Sequence, residues 1–313
     1  MAEPRVTVLA GGVGGARLAH GFALTGTPLD VVVNVGDDTE LHGLWISPDL
    51  DTVMYTLAGL NDEERGWGLR GESYATLTQL GVLGEDTWFT LGDKDLATHV
   101  ARTARLRAGV PLSTVTAQLT ASLGVTARLL PVTDDPVATV LDTPSGRLAF
   151  QEYFVRRHHA DAVLGITYEG LEAARPAPGV LASVADADVV VIAPSNPFLS
   201  VLPVLGVAGV REAVTTTTAR RVAVSPIVGG QAIKGPAAQI LETLGHEVSA
   251  LGVARLYTGL VDVMVVDDAD AALEPAIRDL GFEVVVTDTI MGGPDGRERL
   301  ARELLALAGH PQP

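Results

Sequence analysis

Short runs of β-branched and aliphatic residues recur at positions 6–10, 29–35, 162–166, 189–193, 221–225, 261–266 and 283–288, with amphipathic helical patterns between most of them. A strand that is apolar on both faces has to be covered on both faces, so this alternation leaves few folds open. It predicts an α/β chain with a Rossmann-like, doubly wound, mostly parallel sheet. The helical patterns fall at 16–24, 50–60, 177–184, 202–213, 236–244 and 296–308. Residues 66–159 break the rhythm, with helices predicted at 72–80, 95–107 and 112–123 and strands near 127–132, 138–142 and 147–154. They read as an inserted α+β cap over a nucleotide-binding core of residues 1–65 and 160–313, the two parts packing as one unit. The last four residues, from His310, read as a frayed tail.

Composition excludes several functional classes. With 47% apolar and 19% charged residues in 313, the chain can bury a sizeable core. Its 22 Lys and Arg against 38 Asp and Glu leave a formal charge of −16, the opposite of what a nucleic-acid or membrane surface attracts. No cysteine is present, which removes disulfides, thiolate nucleophiles and Cys-ligated metals. The first apolar run passes directly into glycines, unlike a signal peptide, and no apolar stretch has membrane-spanning length, so the expectation is a cytoplasmic protein. A homodimer is the prior for such a protein. An anionic ligand needs local positive charge, and the chain has only two lysines, Lys94 and Lys234.

The first predicted strand ends in Gly11-Gly12-Val13-Gly14-Gly15-Ala16-Arg17. Glycines there let the backbone approach an anion, and the free N–H groups with the positive end of the next helix favour phosphate. The spacing is neither the dinucleotide fingerprint nor a P-loop, because Arg17 stands where a third glycine belongs and no Lys-Ser/Thr follows. The second strand ends in Asn34-Val35-Gly36-Asp37-Asp38, followed shortly by Ile46-Ser47-Pro48-Asp49-Leu50-Asp51-Thr52. Parallel strands deliver their C-terminal loops to one edge, so these carboxylates converge on whatever the glycine turn holds. Carboxylates beside a phosphate suit Mg²⁺, although Asp49 or Asp51 equally suits capping of a helix that begins near Thr52.

Three further segments fall at helix or strand ends. Lys94 lies in Leu91-Gly92-Asp93-Lys94-Asp95 at a predicted helix start, where it could reach a phosphoryl oxygen or pair with a neighbouring Asp. Ser195 and Asn196, in Ala193-Pro194-Ser195-Asn196-Pro197, suit both a helix cap and a ligand contact. Ser225 and Gly229, in the segment that runs on to Lys234, again bring glycines and a charge to the sheet edge and are read with the nucleotide-binding residues. Phe150-Gln151-Glu152-Tyr153-Phe154 concentrates aromatic rings that either stack a flat ligand or fill the core beneath the cap. His158 and His159 are adjacent and so are poor joint metal ligands, and no Ser-centred nucleophile elbow is present.

Taken in order, the strings G-G-V-G-G-A-R, N-V-G-D-D, I-S-P-D-L-D-T, L-G-D-K-D-L-A-T-H, F-Q-E-Y-F, A-P-S-N-P and S-P-I-V-G-G resemble the CofD/FbiA family. Members are the 2-phospho-L-lactate or phosphoenolpyruvate transferases of coenzyme F420 biosynthesis. The resemblance implies that the terminal ribityl hydroxyl of the deazaflavin Fo attacks a guanosine diphosphate-linked donor, enolpyruvyl- or lactyl-2-diphospho-guanosine, and releases GMP. It implies Mg²⁺ and a Rossmann-like core. It makes Asp37 and Asp49 metal-site carboxylates and sets Asp51 beside the acceptor hydroxyl, with Asp51 or Asp49 orienting or deprotonating it. Gly11, Gly12, Gly14, Gly15, Ser195 and Asn196 go with the guanosine-diphosphate site, and Lys94 stands where many members have Arg. Phosphoryl transfer needs alignment and charge neutralisation more than a covalent nucleophile, so direct transfer without a phospho-enzyme is expected.

Two other readings compete. A nucleotide-sugar-binding regulatory protein of the gluconeogenesis-factor type would carry paired glycines and serines after the second strand, where this chain has G-D-D-T-E-L-H-G. An NAD-dependent dehydrogenase could use Asp37 on the ribose, but the glycine spacing is wrong for it. The Arg-rich, Lys-poor composition suits a GC-rich, actinobacterial source, for which the family resemblance implies the enolpyruvyl donor.

Overall fold

A computed structural model describes residues 3–309; the tail from His310 lies outside the described residues. The central sheet has seven parallel strands: β1 (Val6–Ala10), β2 (Leu29–Val33), β3 (Arg128–Pro131), β4 (Val189–Ile192), β5 (Arg220–Val224), β6 (Val263–Val266) and β7 (Glu283–Val286). Their spatial order is 7-6-5-4-1-2-3. Helices cover both faces, which is why β1, β4 and β6 are buried along their whole length and tolerate unbroken aliphatic sequence. Six of the seven predicted parallel strands are found in the sheet.

The seventh is a substitution. Residues 162–166 were expected in the main sheet, but the strand lies at Gly165–Glu169 and pairs antiparallel with Ala138–Thr143, which also pairs with Gly146–Ala149. Its Thr, Tyr and Glu residues are only partly covered, as suits a small sheet with one open face. The place at the sheet edge goes instead to Arg128–Pro131, expected within the cap, which aligns with β2 from Asp30↔Arg128 to Val33↔Pro131. An Arg128–Asp30 ion pair clips that register.

Helix α1 (Gly12–Thr25) connects β1 to β2 and packs between α2 (Pro48–Leu57) and the helix Pro294–Ala306. It starts four residues earlier than the periodicity predicts, because the glycine-rich turn is itself the first helical turn. After α2 come α3 (Ala75–Val82) and α4 (Asp93–Arg107), which pack against one another. Strands β1 to β3 proceed in one direction from β1, and the chain then returns to lay β4 on the other side. The strand order thus reverses between β1 and β4, and the crevice at their carboxyl ends is where such sheets hold ligands. Among the described residues, no single helix is long and apolar enough to cross a membrane.

Candidate active site

The crevice opens into a cavity of about 590 Å³. Gly11, Gly12 and Gly14 line it from β1, and Pro194, Ser195 and Asn196 from β4. The two loops touch closely: a β-carbon on Gly14 would lie 2.2 Å from the Pro194 carbonyl oxygen. Gly12 has φ +64°, a left-handed backbone that glycine adopts without a steric penalty. Gly15 is buried behind the turn, against Ala10 and Ser195. The Ser195 hydroxyl donates to the Gly11 carbonyl at 2.8 Å and accepts from the Gly11 N–H at 3.2 Å, so it stitches the loops together. Asn196 caps the following helix, its Oδ1 accepting from the Phe198 and Leu199 N–H groups. Its Nδ2 is buried without a partner in the structure, at the cavity wall. Cap and ligand donor are thus combined in one side chain.

Opposite stand the carboxylates. Asp37, Asp49 and Asp51 are all buried and all line the cavity. The end of β2 places Asn34 so that its Nδ2 donates to Asp49 Oδ2 at 3.0 Å, while Gly12 N–H donates to Asp49 Oδ1 at 2.7 Å. Burial pushes the Asp49 carboxyl up to about 6 in spite of these bonds. Asp37 is pushed well above the usual carboxylate range, by burial first and by the Asp49 charge second, and its Oδ1 has no partner. Asp38 faces away from the cavity. Its Oδ2 accepts from Ser47 and Trp45 at 2.7 and 2.9 Å, and burial raises it to about 7.

Asp51 is held differently, by both of its oxygens on the guanidinium of Arg102, a residue of which 1% is exposed. Arg102 comes from α4, as do Asp95 and His99, the last two at the cavity wall. His99 Nε2 lies 3.3 Å from Asp95 Oδ1, and the Tyr55 hydroxyl donates to the same Asp95 oxygen at 2.7 Å. Burial raises the Asp95 carboxyl, but the His99 and Tyr55 contacts outweigh it and leave it below the usual range. Sequence reasoning missed this group. Its signal was the spacing Asp95, His99, Arg102, positions i, i+4 and i+7 of one helical face.

Lys94 is not among the cavity residues. Its Nζ donates to the Arg70 carbonyl at 2.9 Å, and its N–H to Glu72. Around the start of α4 successive side chains diverge by about 100°, so Asp95 turns inward and Lys94 outward. Arg65 and Lys234 supply the cavity's cations instead. Ser225 and Gly229 also lie outside the lining. The Ser225 hydroxyl closes a local turn with Ile227, and Gly229 N–H donates to Asp270 at 3.0 Å, so the segment after β5 reaches the cavity only at residues 234–237. The aromatic segment divides: Tyr153 is core, whereas Phe150 and Phe154 stack at 5.4 Å and line the cavity with Trp67, Trp88 and Phe89.

The cavity is thus lined by glycine backbone, carboxylates, two cations and aromatic rings. A family model described as 2-phospho-L-lactate transferase CofD matches residues 6–291. A phosphoenolpyruvate transferase of Streptomyces griseus is 42% identical over 312 residues, covering 97% of this chain and 98% of that one. A 2-phospho-L-lactate transferase of Methanospirillum hungatei is 38% identical over 302 residues, covering 96% and 99%. Among solved structures, a UPF0052 family member from Bacillus halodurans superposes with a TM-score of 0.64 at 17% identity, over 97% of this chain and 99% of that one. That last likeness concerns the fold.

Proposed function

The chain belongs to the 2-phospho-L-lactate transferase CofD family, and on that footing we propose that it transfers a phosphoenolpyruvyl group from a guanosine diphosphate-linked donor to the terminal ribityl hydroxyl of the deazaflavin Fo, a step of coenzyme F420 biosynthesis. The observation that carries the reading is one cavity lined by a glycine turn, buried carboxylates and stacked aromatic rings. A diphosphate suits the glycine turn and a flat tricyclic ring the aromatic side chains. The enolpyruvyl group follows the name of the Streptomyces griseus relative.

On this reading the Val13 and Gly14 N–H groups of the first helical turn and the Asn196 amide bind the donor's phosphates, and Arg65 and Lys234 balance their charge. The aromatic wall orients Fo so that its hydroxyl meets Asp51. Asp37 and Asp49 fit a divalent cation, because Asp37 has a buried oxygen without a partner and the two carboxylates repel one another. They would hold Mg²⁺, which when bound neutralises charge on the transferring phosphate. The side chains at the cavity include no cysteine, and the reading has the hydroxyl attack directly, without a covalent enzyme intermediate.

The test is incubation with Fo and enolpyruvyl-diphospho-guanosine, with and without Mg²⁺, and mass spectrometry of the deazaflavin. The expected result is Fo gaining one phosphoenolpyruvyl group with stoichiometric GMP. Unchanged Fo with intact donor would reject the proposal, and a phosphorylated protein peptide would reject direct transfer.

A further inference from the structure

Forming a phosphodiester in this way releases a proton. A diphosphate diester carries two negative charges, whereas the phosphodiester and nucleoside monophosphate made from it carry three near neutral pH, so the acceptor's hydroxyl proton must be taken up. Asp51 is poorly placed to keep it, because both of its oxygens already accept from Arg102.

His99 lies beside Asp51, and both line the cavity. Its Nδ1 is 3.7 Å from Asp51 Oδ2 and 3.3 Å from Arg102 Nη1, and its Nε2 faces Asp95. Its Nε2 is buried without a hydrogen-bond partner in the structure. The carboxylates of Asp51 and Asp95 and the guanidinium of Arg102 surround the ring, and Asp38 also faces Arg102. Two carboxylates therefore stand against one guanidinium at the ring. A proton taken up by the ring places the balancing positive charge between Asp51 and Asp95.

We propose that His99 is the terminal acceptor of the hydroxyl proton, with Asp95 and Tyr55 as positioning residues and Asp51 holding the hydroxyl; the proposal rests on the transfer reading above. In the step the acceptor O–H bond breaks and its oxygen forms the new bond to phosphorus. The bond from phosphorus to the GMP oxygen breaks, its electron pair leaving with GMP. The proton comes to the His99 ring and is lost to solvent after product departs.

The test compares wild type, His99→Gln and His99→Ala for kcat and KM with Fo and the guanosine-linked donor, and for affinity toward GDP. Gln keeps a donor toward Asp95 but takes no proton. The expected result is a fall in kcat of about 100-fold or more in both variants, with KM and GDP affinity near wild type and part of the His99→Ala rate restored by added imidazole. His99→Gln turning over at the wild-type rate overturns the proposal and leaves the transfer reading standing. So does loss of GDP binding together with turnover, which would make the ring purely structural. A wild-type protein that forms no adduct from Fo overturns both.

Discussion

Replacing Gly14 by alanine tests whether the glycine-rich turn shapes the cavity through its close approach to β4. The new β-carbon would lie 2.2 Å from the Pro194 carbonyl oxygen and 3.3 Å from its carbon, both backbone atoms that cannot rotate away. Carbon and oxygen settle at about 3.3–3.6 Å even in attractive contacts, so the turn and the end of β4 must part by roughly 1 Å. Overpacking of that kind costs about 1–3 kcal/mol. Ser195 and Asn196 continue directly from Pro194, so the displacement is passed to the residues proposed to bind the nucleotide, where a misplacement of about 1 Å costs on the order of 100-fold. Gly12→Ala is the control. Its β-carbon meets nothing closer than Asp49 Oδ1 at 3.8 Å, but φ of +64° makes alanine strained by about 1–2 kcal/mol. Urea unfolding and GDP titration calorimetry on both variants separate the two effects. Gly14→Ala should lose GDP affinity by about two orders of magnitude, while Gly12→Ala should lose mainly stability. Wild-type GDP affinity in Gly14→Ala would refute the reasoning, as would a larger affinity loss in Gly12→Ala.

Breaking the buried Arg102–Asp51 pair by Arg102→Met should destabilise the fold by about 3–5 kcal/mol, because it strands a buried carboxylate. Arg128→Ala, at a pair whose arginine is 51% exposed, should cost no more than about 1 kcal/mol, and urea midpoints compare the two. Asp38 has its folded-state value raised to about 7 by burial, so the folded state binds the extra proton. Its contribution to stability is full below the unfolded value and is lost as pH rises through 7. Asp38→Asn should therefore flatten the decline in urea midpoint between pH 5 and 8, and an unchanged slope would contradict the assignment. Lys234→Ala should weaken GDP binding by roughly tenfold, the scale of one charged hydrogen bond. Lys94→Ala should leave GDP binding unaltered, since its ammonium is spent on the Arg70 carbonyl; calorimetry reads both.

The strands and most helices were legible because their causes are local. An unbroken aliphatic run such as Val189–Ile192 can only be a strand covered on both faces, and a glycine turn after Val6–Ala10 marks the strand-to-helix junction whatever lies elsewhere. The same locality located Asp37, Asp49, Asp51 and Asn196, since parallel strands deliver their carboxyl ends to one edge. Sheet membership was not local. Arg128–Pro131 reads much like the strands that follow it, and only pairing with β2, 98 residues away at Asp30, made it the edge of the main sheet.

The division of labour within the site also came from packing. In sequence Lys94 stands beside two aspartates at a helix start, yet the direction of α4 turned it outward and brought in Lys234 from beyond β5. Asp51 carries no sign in its own neighbourhood of the Arg102 guanidinium, 51 residues on, that holds both its oxygens. Local sequence determined which chemical groups reach the sheet edge, because backbone geometry and hydrophobic period act over a few residues. Which of those groups face one another, and which are neutralised by a partner, was decided by the tertiary fold, because ion pairing and burial depend on distances through space that residue spacing does not encode.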